Sequence, residues 1–300
     1  MIPAGARSEG RKFMDRMSNG AKWPLVAAGV LVAVLVYAAD NRKECRYTVA
    51  PGTSVVVTNE SGPVNVKGSA SHQVVIVATT HSDKVEVDCA QNGNRIQAGT
   101  HFLQRADGLD GRVDYQVLVP ADSRVTVRAP SGPITAEKLR GDVSVEGDAA
   151  PVDVRDVKNA HVHVRTISGP VTLGNINNGH VEITSLSGNV QLEVVSGPKV
   201  AVNTAKGSIR YNGDFGEGGD YMLVNHSGDI DVTLPAFASV DLSARSITGS
   251  VENDFPLQQK PHSSFVPSPG RSFAGTSNTG ASSVQLRSFS GKIRVKKLTH

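Results

Sequence analysis

The sequence predicts an all-β protein whose main part is a β-solenoid of short strands, similar to a single-stranded β-helix. Short apolar–polar–apolar phrases recur every nine or ten residues between 134 and 211, and a sustained fixed period is typical of repeat architectures. Within each phrase the apolar residues alternate, as they do along a strand. Turn-forming Gly, Ser, Asn or Pro residues separate the phrases. The phrases begin at Ile134, Val143, Val152, Val162, Val171, Val181, Val190, Val200 and Ile209.

A second, longer period favours the solenoid over an antiparallel sandwich, in which turns also recur every ~8–12 residues. One corner pair repeats at steps of 19, 19, 21 and 21 residues, so one coil of 19–21 residues contains about two strands. A sandwich has no reason to repeat one corner at twice the strand period. We therefore expect Val171, Val190 and Ile209 to lie above one another. The corner pairs begin at Ser168, Ser187, Lys206, Ser227 and Thr248.

Composition agrees with a narrow core. Aromatic residues make up only 5% of the chain and glycine accounts for 30 residues, as many corners require. The chain has 31 basic and 28 acidic residues, for a net charge of +3. This balance gives no reason to expect a nucleic-acid partner, which would need a basic face or stripe.

The N-terminal part predicts export. Residues 1–22 form a basic segment that we expect in the cytoplasm, and residues 23–39 carry no charge. As a helix these residues would span ~26 Å, slightly less than the ~30 Å thickness of the hydrocarbon core of a bilayer. Trp23 and Tyr37 would lie near the two ends of this helix. The basic flank predicts a single-pass anchor in the cytoplasmic membrane, in contact with the lipid bilayer, with the N-terminus inside. The C-terminal domain would then be periplasmic or extracellular.

A cleaved signal peptide is the alternative, because Val36 and Ala38 are small residues at the two positions of a cleavage site that a signal peptidase recognises. Both cysteines fall in the exported part. Cys45 and Cys89 would form one disulfide in an oxidising compartment; the alternative is two unpaired thiols.

Residues 40–127 predict a β-rich entry region with longer and less regular strands, which covers the first coil. Residues 128–300 form the predicted solenoid, and the Ser-, Pro- and Gly-rich stretch at about 253–283 predicts a long loop or mobile excursion. The segment Arg294-Val295-Lys296-Lys297 would place charge on the last exposed strand edge.

Three passages make the chain resemble the DUF4097 family of bacterial envelope proteins, often named putative adhesins. They are Asp114-Tyr115-Gln116-Val117-Leu118-Val119-Pro120, Val125-Thr126-Val127 and Ser131-Gly132-Pro133-Ile134. Residues 61–66 and 290–295 fit the same pattern, so the resemblance covers residues 47–297. It implies an exported β-solenoid with no assigned catalytic residue and no cofactor.

Candidate metal ligands are few. His161 and His180 are 19 residues apart, one coil, so we expect them to stack on the outer face with Lys199 on the next rung and His163 nearby. Stacked imidazoles could bind a metal, but no third ligand is evident, which favours solvated polar positions outside the core. Asp107, Asp110 and Asp114 surround two glycines, as in an oxygen-rich calcium loop, but without EF-hand spacing. A solvated loop is the alternative for them.

Two classes of function remain open. The first is a non-enzymatic, membrane-anchored adhesin or binding scaffold for an envelope protein or glycan. The second is a polysaccharide-acting β-helix enzyme, which would need carboxylates on adjacent coils; Asp142, Asp153 and Asp156 are the dense acidic cluster. A polymer-forming structural protein of the envelope is a further alternative.

Overall fold

The computed structural model describes residues 41–105, 108–259 and 268–298. This part is all-β, apart from one 3-10 helix at Gly108–Gly111. The strands are β1 (Arg42–Thr48), β2 (Ser54–Thr58), β3 (Val64–Ser69), β4 (Gln73–Thr80), β5 (Val85–Asn92), β6 (Arg95–Phe102), β7 (Val113–Pro120), β8 (Arg124–Arg128), β9 (Ile134–Glu137), β10 (Val143–Gly147), β11 (Val152–Lys158), β12 (His161–Thr166) and β13 (Val171–Asn177). They continue with β14 (His180–Ser185), β15 (Val190–Val195), β16 (Lys199–Thr204), β17 (Ile209–Asn212), β18 (Asp220–Asn225), β19 (Ile230–Leu234), β20 (Val240–Ser246), β21 (Val251–Asn253), β22 (Gln258–Gln259), β23 (Ser272–Thr276), β24 (Ser282–Ser288) and β25 (Ile293–Lys297).

The strands form two long sheets. Sheet A has the order β1-β4-β7-β3-β9-β11-β13-β15-β17-β19-β25-β21, and sheet B has the order β22-β23-β20-β24-β18-β16-β14-β12-β10-β8-β2-β6-β5. From β8 to β20 the chain alternates between the sheets, one strand in each. Each strand from β8 to β17 pairs in parallel with the strand one coil later in the same sheet. The result is a stack of rungs with the repeat of a β-solenoid.

The core is a column of aliphatic side chains between the two sheets. Val171 lies opposite Val190, and Val190 lies opposite Ile209, in the register of sheet A. All three are buried, within one apolar cluster that includes side chains from both sheets. The predicted stacking of these three positions is therefore confirmed. The 19-residue period produces this column because each coil places its apolar residues at equivalent positions on the same inner face.

At both ends of the stack, the spatial order of the rungs differs from the order of the chain. The pair β2–β3 lies between β6–β7 and β8–β9, so the sheets continue without a break across residue 127. At the other end β24–β25 lies between β18–β19 and β20–β21. The predicted edge position of residues 294–297 is therefore wrong: β25 has a neighbour on each side, and β21 is the edge strand of sheet A.

The stretch predicted as a long excursion at about 253–283 contains ordered strands in its described part. Residues of β22 pair antiparallel with β23, and β23 pairs antiparallel with β20. This small antiparallel addition ends sheet B. The antiparallel strands cover the edge of β20, so that no further parallel rung can pair with β20 there.

The predicted segments 1–22 and 23–39 lie outside the described residues. Within residues 41–105, 108–259 and 268–298, no helix has the length and hydropathy that crossing a bilayer requires.

Candidate functional site

One corner of the stack is built from a recurring tetrapeptide. Where a strand of sheet B ends, an inward-facing Asn, Ser or Thr is followed three residues later by glycine. The polar side chain binds the glycine backbone: Ser185 Oγ accepts from Gly188 N at 2.9 Å and donates to its carbonyl oxygen at 3.2 Å. The corners are Asn59–Gly62, Thr166–Gly169, Ser185–Gly188, Thr204–Gly207, Asn225–Gly228, Ser288–Gly291 and Ser246–Gly249.

Glycine is required at this corner because successive rungs come too close for a side chain. A Cβ on Gly188 would lie 2.0 Å from the carbonyl oxygen of Gly169, and one on Gly207 would lie 1.9 Å from that of Gly188. The corner glycines therefore form a column of touching backbone. This contact between backbones fixes the position of the outward-facing residue that lies two positions before each corner glycine.

The outward residue of this corner is apolar in several consecutive rungs. We call this row the corner ridge; from one end to the other it consists of Ile167, Leu186, Ala205, His226, Phe289 and Ile247. Its large aliphatic and aromatic members are 44–55% exposed. The rings of His226 and Phe289 stack with centroids 4.7 Å apart, at an interplanar angle of 11°. Six rungs make the ridge roughly 24 Å long at the ~4.8 Å spacing of strands.

The backbone holds the ridge straight. The carbonyl oxygen of Ile167 accepts from Ser187 N at 2.8 Å, and that of Leu186 accepts from Lys206 N at 2.9 Å. The same bond joins Phe289 to Thr248 at 2.8 Å. Because these bonds repeat from rung to rung, the apolar side chains project from a rigid corner and not from a mobile loop.

Polar and basic groups border the ridge. On one side lies the row of corner hydroxyls and Lys206, and on the other the outer face of sheet B carries Arg165, Arg245 and Arg287, all exposed. The strand register places Arg287 directly opposite Arg245. An exposed apolar strip with a polar rim is the usual anatomy of a contact surface.

The predicted histidine pair exists. His161 and His180 lie opposite each other on β12 and β14, with ring centroids 5.0 Å apart, and Lys199 follows on the next rung. His163 Nδ1 instead faces Glu182 at 3.6 Å. Among the described residues no three His, Cys, Asp or Glu side chains are grouped as a metal ion would need.

The two aspartate clusters do not converge. Asp107 lies outside the described residues, while Asp110 pairs with Lys84. Asp114 pairs with Arg112 at 2.7 Å and His81 at 3.2 Å. The Arg112 and His81 partners hold the pKa of Asp114 below its usual range, against the opposing effect of burial.

The acidic cluster proposed for sugar chemistry is likewise divided. Asp142 precedes β10 in sheet B, where it accepts from His161 N at 3.1 Å and faces Arg124 at 3.4 Å. Asp153 and Asp156 lie in sheet A, where Asp153 binds Arg155 at 2.7 Å. Asp156 accepts from Asn175 at 2.6 Å. Each carboxylate has its own local partner, so the structure does not bring the three together.

The two cysteines form a disulfide, with Cα atoms 6.6 Å apart. Cys45 is on β1, the edge of sheet A, and Cys89 is on β5, the edge of sheet B. The bridge therefore joins the two sheets at the N-terminal end of the stack.

Sequence reasoning missed the corner ridge. Alternation identifies the inward positions of a strand, but the ridge residues follow a polar inward residue and therefore resemble irregular turn positions. A local signal for the ridge exists: an Asn, Ser or Thr three residues before each corner glycine places the residue that directly follows it on the outside.

A family model, Toastrack DUF4097, matches residues 53–296. The chain belongs to the Toastrack DUF4097 family. Its match covers the two-sheet stack from β2 to β25, including both ends at which the rung order departs from the chain order. No curated protein sequence matches the chain.

Three bacterial proteins of solved structure match most of the chain at low sequence identity. A putative cell adhesion protein of Clostridium sporogenes is 13% identical, with a TM-score of 0.27, and the match covers 86% of this chain and 100% of that one. A putative adhesin of Bacteroides fragilis is 11% identical, with a TM-score of 0.48 and coverage of 87% and 98%. A putative adhesin of Parabacteroides merdae is 12% identical, with a TM-score of 0.33 and coverage of 86% and 97%.

Proposed function

We propose that this Toastrack protein is a non-enzymatic, adhesin-like binding scaffold whose contact surface is the corner ridge. The ridge carries the proposal: a rigid row of Ile, Leu and Phe side chains is 44–55% exposed along one corner of the stack. Full burial of such a side chain is worth roughly 1.5–3 kcal/mol, so the half that is left in water forgoes roughly 1 kcal/mol each. A partner that covers them recovers that free energy.

The partner is a protein and not a glycan in this proposal. Three of the four large apolar side chains of the ridge, Ile167, Leu186 and Ile247, are aliphatic, and an apolar strip with a polar rim is typical of protein–protein contacts. The arginines along the rim fit a partner with acidic groups around an apolar groove. In this proposal residues 23–39 also anchor the protein in the membrane, with the N-terminus inside. The β-helix-like coils are then displayed outside the cytoplasmic membrane.

Binding of the full-length protein to intact cells or envelope fragments from its own source tests this function. A Leu186→Ser/Phe289→Ser variant should lose at least tenfold in affinity, because two of the four large apolar contacts of the ridge are removed. Phe237→Ser is the matched control, since Phe237 is 71% exposed but lies in a turn away from the ridge. Unchanged binding by the ridge variant, or equal loss by the control, would contradict the proposal.

Protease treatment of the envelope separates the partner classes. If the partner is a protein, digestion before the binding assay abolishes ridge-dependent binding. Ridge-dependent binding that survives digestion would show that the partner is not a protein.

A further inference from the structure

A second surface, on the outer face of sheet A, is basic and concave. We call it the basic depression; it measures about 540 Å³ and is lined by Arg210, Asp231, Thr233, Glu252, Lys292, Arg294 and Lys296. The strand register explains the grouping. Arg210 on β17 lies opposite Asp231 on β19, which lies opposite Arg294 on β25. One rung further, Arg294 lies opposite Glu252 of the edge strand β21.

Both carboxylates of the lining are already engaged. Arg294 binds Asp231 through Nε and through Nη2 at 2.8 Å, and its Nη2 also reaches Asp229 at 3.1 Å. Lys292 Nζ lies 2.5 Å from Glu252. The Arg294 partner lowers the pKa of Asp231, so this carboxylate stays ionised well into the acid range. These pairs make a fixed, charged floor.

Two cations of the lining lack such a partner. In the described part of the chain, no carboxylate lies at ion-pair distance from Arg210 or Lys296, and both residues are exposed. The lining holds four cations and two carboxylates, so it carries an excess of two positive charges.

We propose that the basic depression binds the oxyanion groups of an acidic polymer. Guanidinium and ammonium groups bind carboxylate and phosphate oxygens through charge-assisted hydrogen bonds. The depression is open along the sheet, which suits an extended chain better than an enclosed small molecule. Arg210 and Lys296 contact the oxyanions, and the hydroxyl of Thr233, which lies opposite Lys296 in the strand register, donates a further hydrogen bond. This site is separate from the corner ridge and goes beyond the proposed function.

Binding of the full-length protein to polygalacturonate and to inorganic polyphosphate tests the proposal, with neutral dextran as the blank. An Arg210→Ser/Lys296→Ser variant should lose at least tenfold in affinity for the polymer that binds. Arg140→Ser/Lys158→Ser is the matched control, because it removes one Arg and one Lys from exposed positions outside both the depression and the corner ridge. We expect less than a twofold change for this control. Arg210→Lys/Lys296→Arg should retain binding, since it conserves both charges.

The two polymers distinguish the source of the oxyanion: preference for polygalacturonate assigns carboxylates, and preference for polyphosphate assigns phosphates. Binding to neither polymer overturns the proposal, and so does an equal loss in both double serine variants, which would show attraction by net charge alone. The Leu186→Ser/Phe289→Ser variant should bind the polymers like the unaltered protein. Failure of the ridge proposal and failure of this one are therefore separable.

Discussion

The column of corner glycines makes a quantitative prediction at Gly188. An alanine there would place its Cβ 2.0 Å from the carbonyl oxygen of Gly169 and 2.8 Å from the carbonyl carbon. Real Cβ atoms do not approach backbone this closely, so one rung must move away from the next. The Ser185 hydroxyl, 3.1 Å from the new methyl group, must also give way.

The loss of stability expected for Gly188→Ala follows from the small space between neighbouring rungs. Overpacking of a tightly packed site costs typically 1–3 kcal/mol. We expect the upper half of this range, about 2–3 kcal/mol, because relaxation is blocked on the other side: the carbonyl oxygen of Gly188 itself lies against the Cα of Gly207, where an added Cβ would come within 1.9 Å.

Urea unfolding followed by circular dichroism measures this loss. Gly99→Ala is the matched control, since nothing lies within 4 Å of a Cβ added at Gly99 on β6. The control should be neutral or more stable by about 0.4–1 kcal/mol, because alanine lowers the entropy of the unfolded chain. If Gly188→Ala unfolds at the same urea concentration as Gly99→Ala, the close approach of the corners is refuted.

Three further predictions concern stability. Val194 is exposed and has a left-handed backbone at φ 54°, which strains a β-branched residue. Val194→Asn is therefore expected to raise the free energy of unfolding by about 1 kcal/mol in urea titrations. A free energy of unfolding below that of the unaltered protein would contradict the strain. Replacing Cys45 and Cys89 together by serine should cost up to about 4 kcal/mol, the chain-entropy limit for their 44-residue separation, and an unchanged urea midpoint would refute this. Burial raises the pKa of Tyr115 to about 12, with the Thr100 hydrogen bond opposing it. The pKa in the folded state exceeds the unfolded value near 10, so the stabilisation is complete below pH ~10 and roughly 3 kcal/mol is lost as the pH rises to ~12. Unfolding titrations across this range should show a shallower decline for Tyr115→Phe, and an identical decline would rule out the assignment.

The regular part of the fold was predictable because its information is local. Each coil repeats an apolar pair at a fixed interval, so the register of Val171, Val190 and Ile209 follows from counting along the chain. The exposed pairing of His161 with His180 followed in the same way. In a stack of this kind one period determines both the inner column and the outer rows.

The ends of the stack were not predictable from spacing. Val64 of β3 pairs with Ile134 of β9, 70 positions later, and Ile230 of β19 pairs with Ile293 of β25, 63 positions later. Many apolar phrases would satisfy the same inner face equally well, so alternation alone cannot select the neighbour. The choice depends on how the intervening hairpins and corners fit, which is tertiary information.

The candidate surfaces were hidden for a related reason. The corner ridge consists of residues that look irregular in sequence, and the basic depression unites Arg210 with Lys296, which are far apart along the chain. The ridge has a local signature, the polar residue three positions before each glycine. The depression has none, because β25 reaches it only through the changed rung order.

That changed rung order also protects strand β25. Because β25 is hydrogen-bonded to β19 on one side and to β21 on the other, a force or a processive protease acting on the chain beyond Lys297 cannot peel β25 from a free edge. It must break two ladders at once, one of them part of the continuous stack. Strand β25 therefore resists being removed from the stack, and unfolding has to start elsewhere, at the short outer strands that cover it.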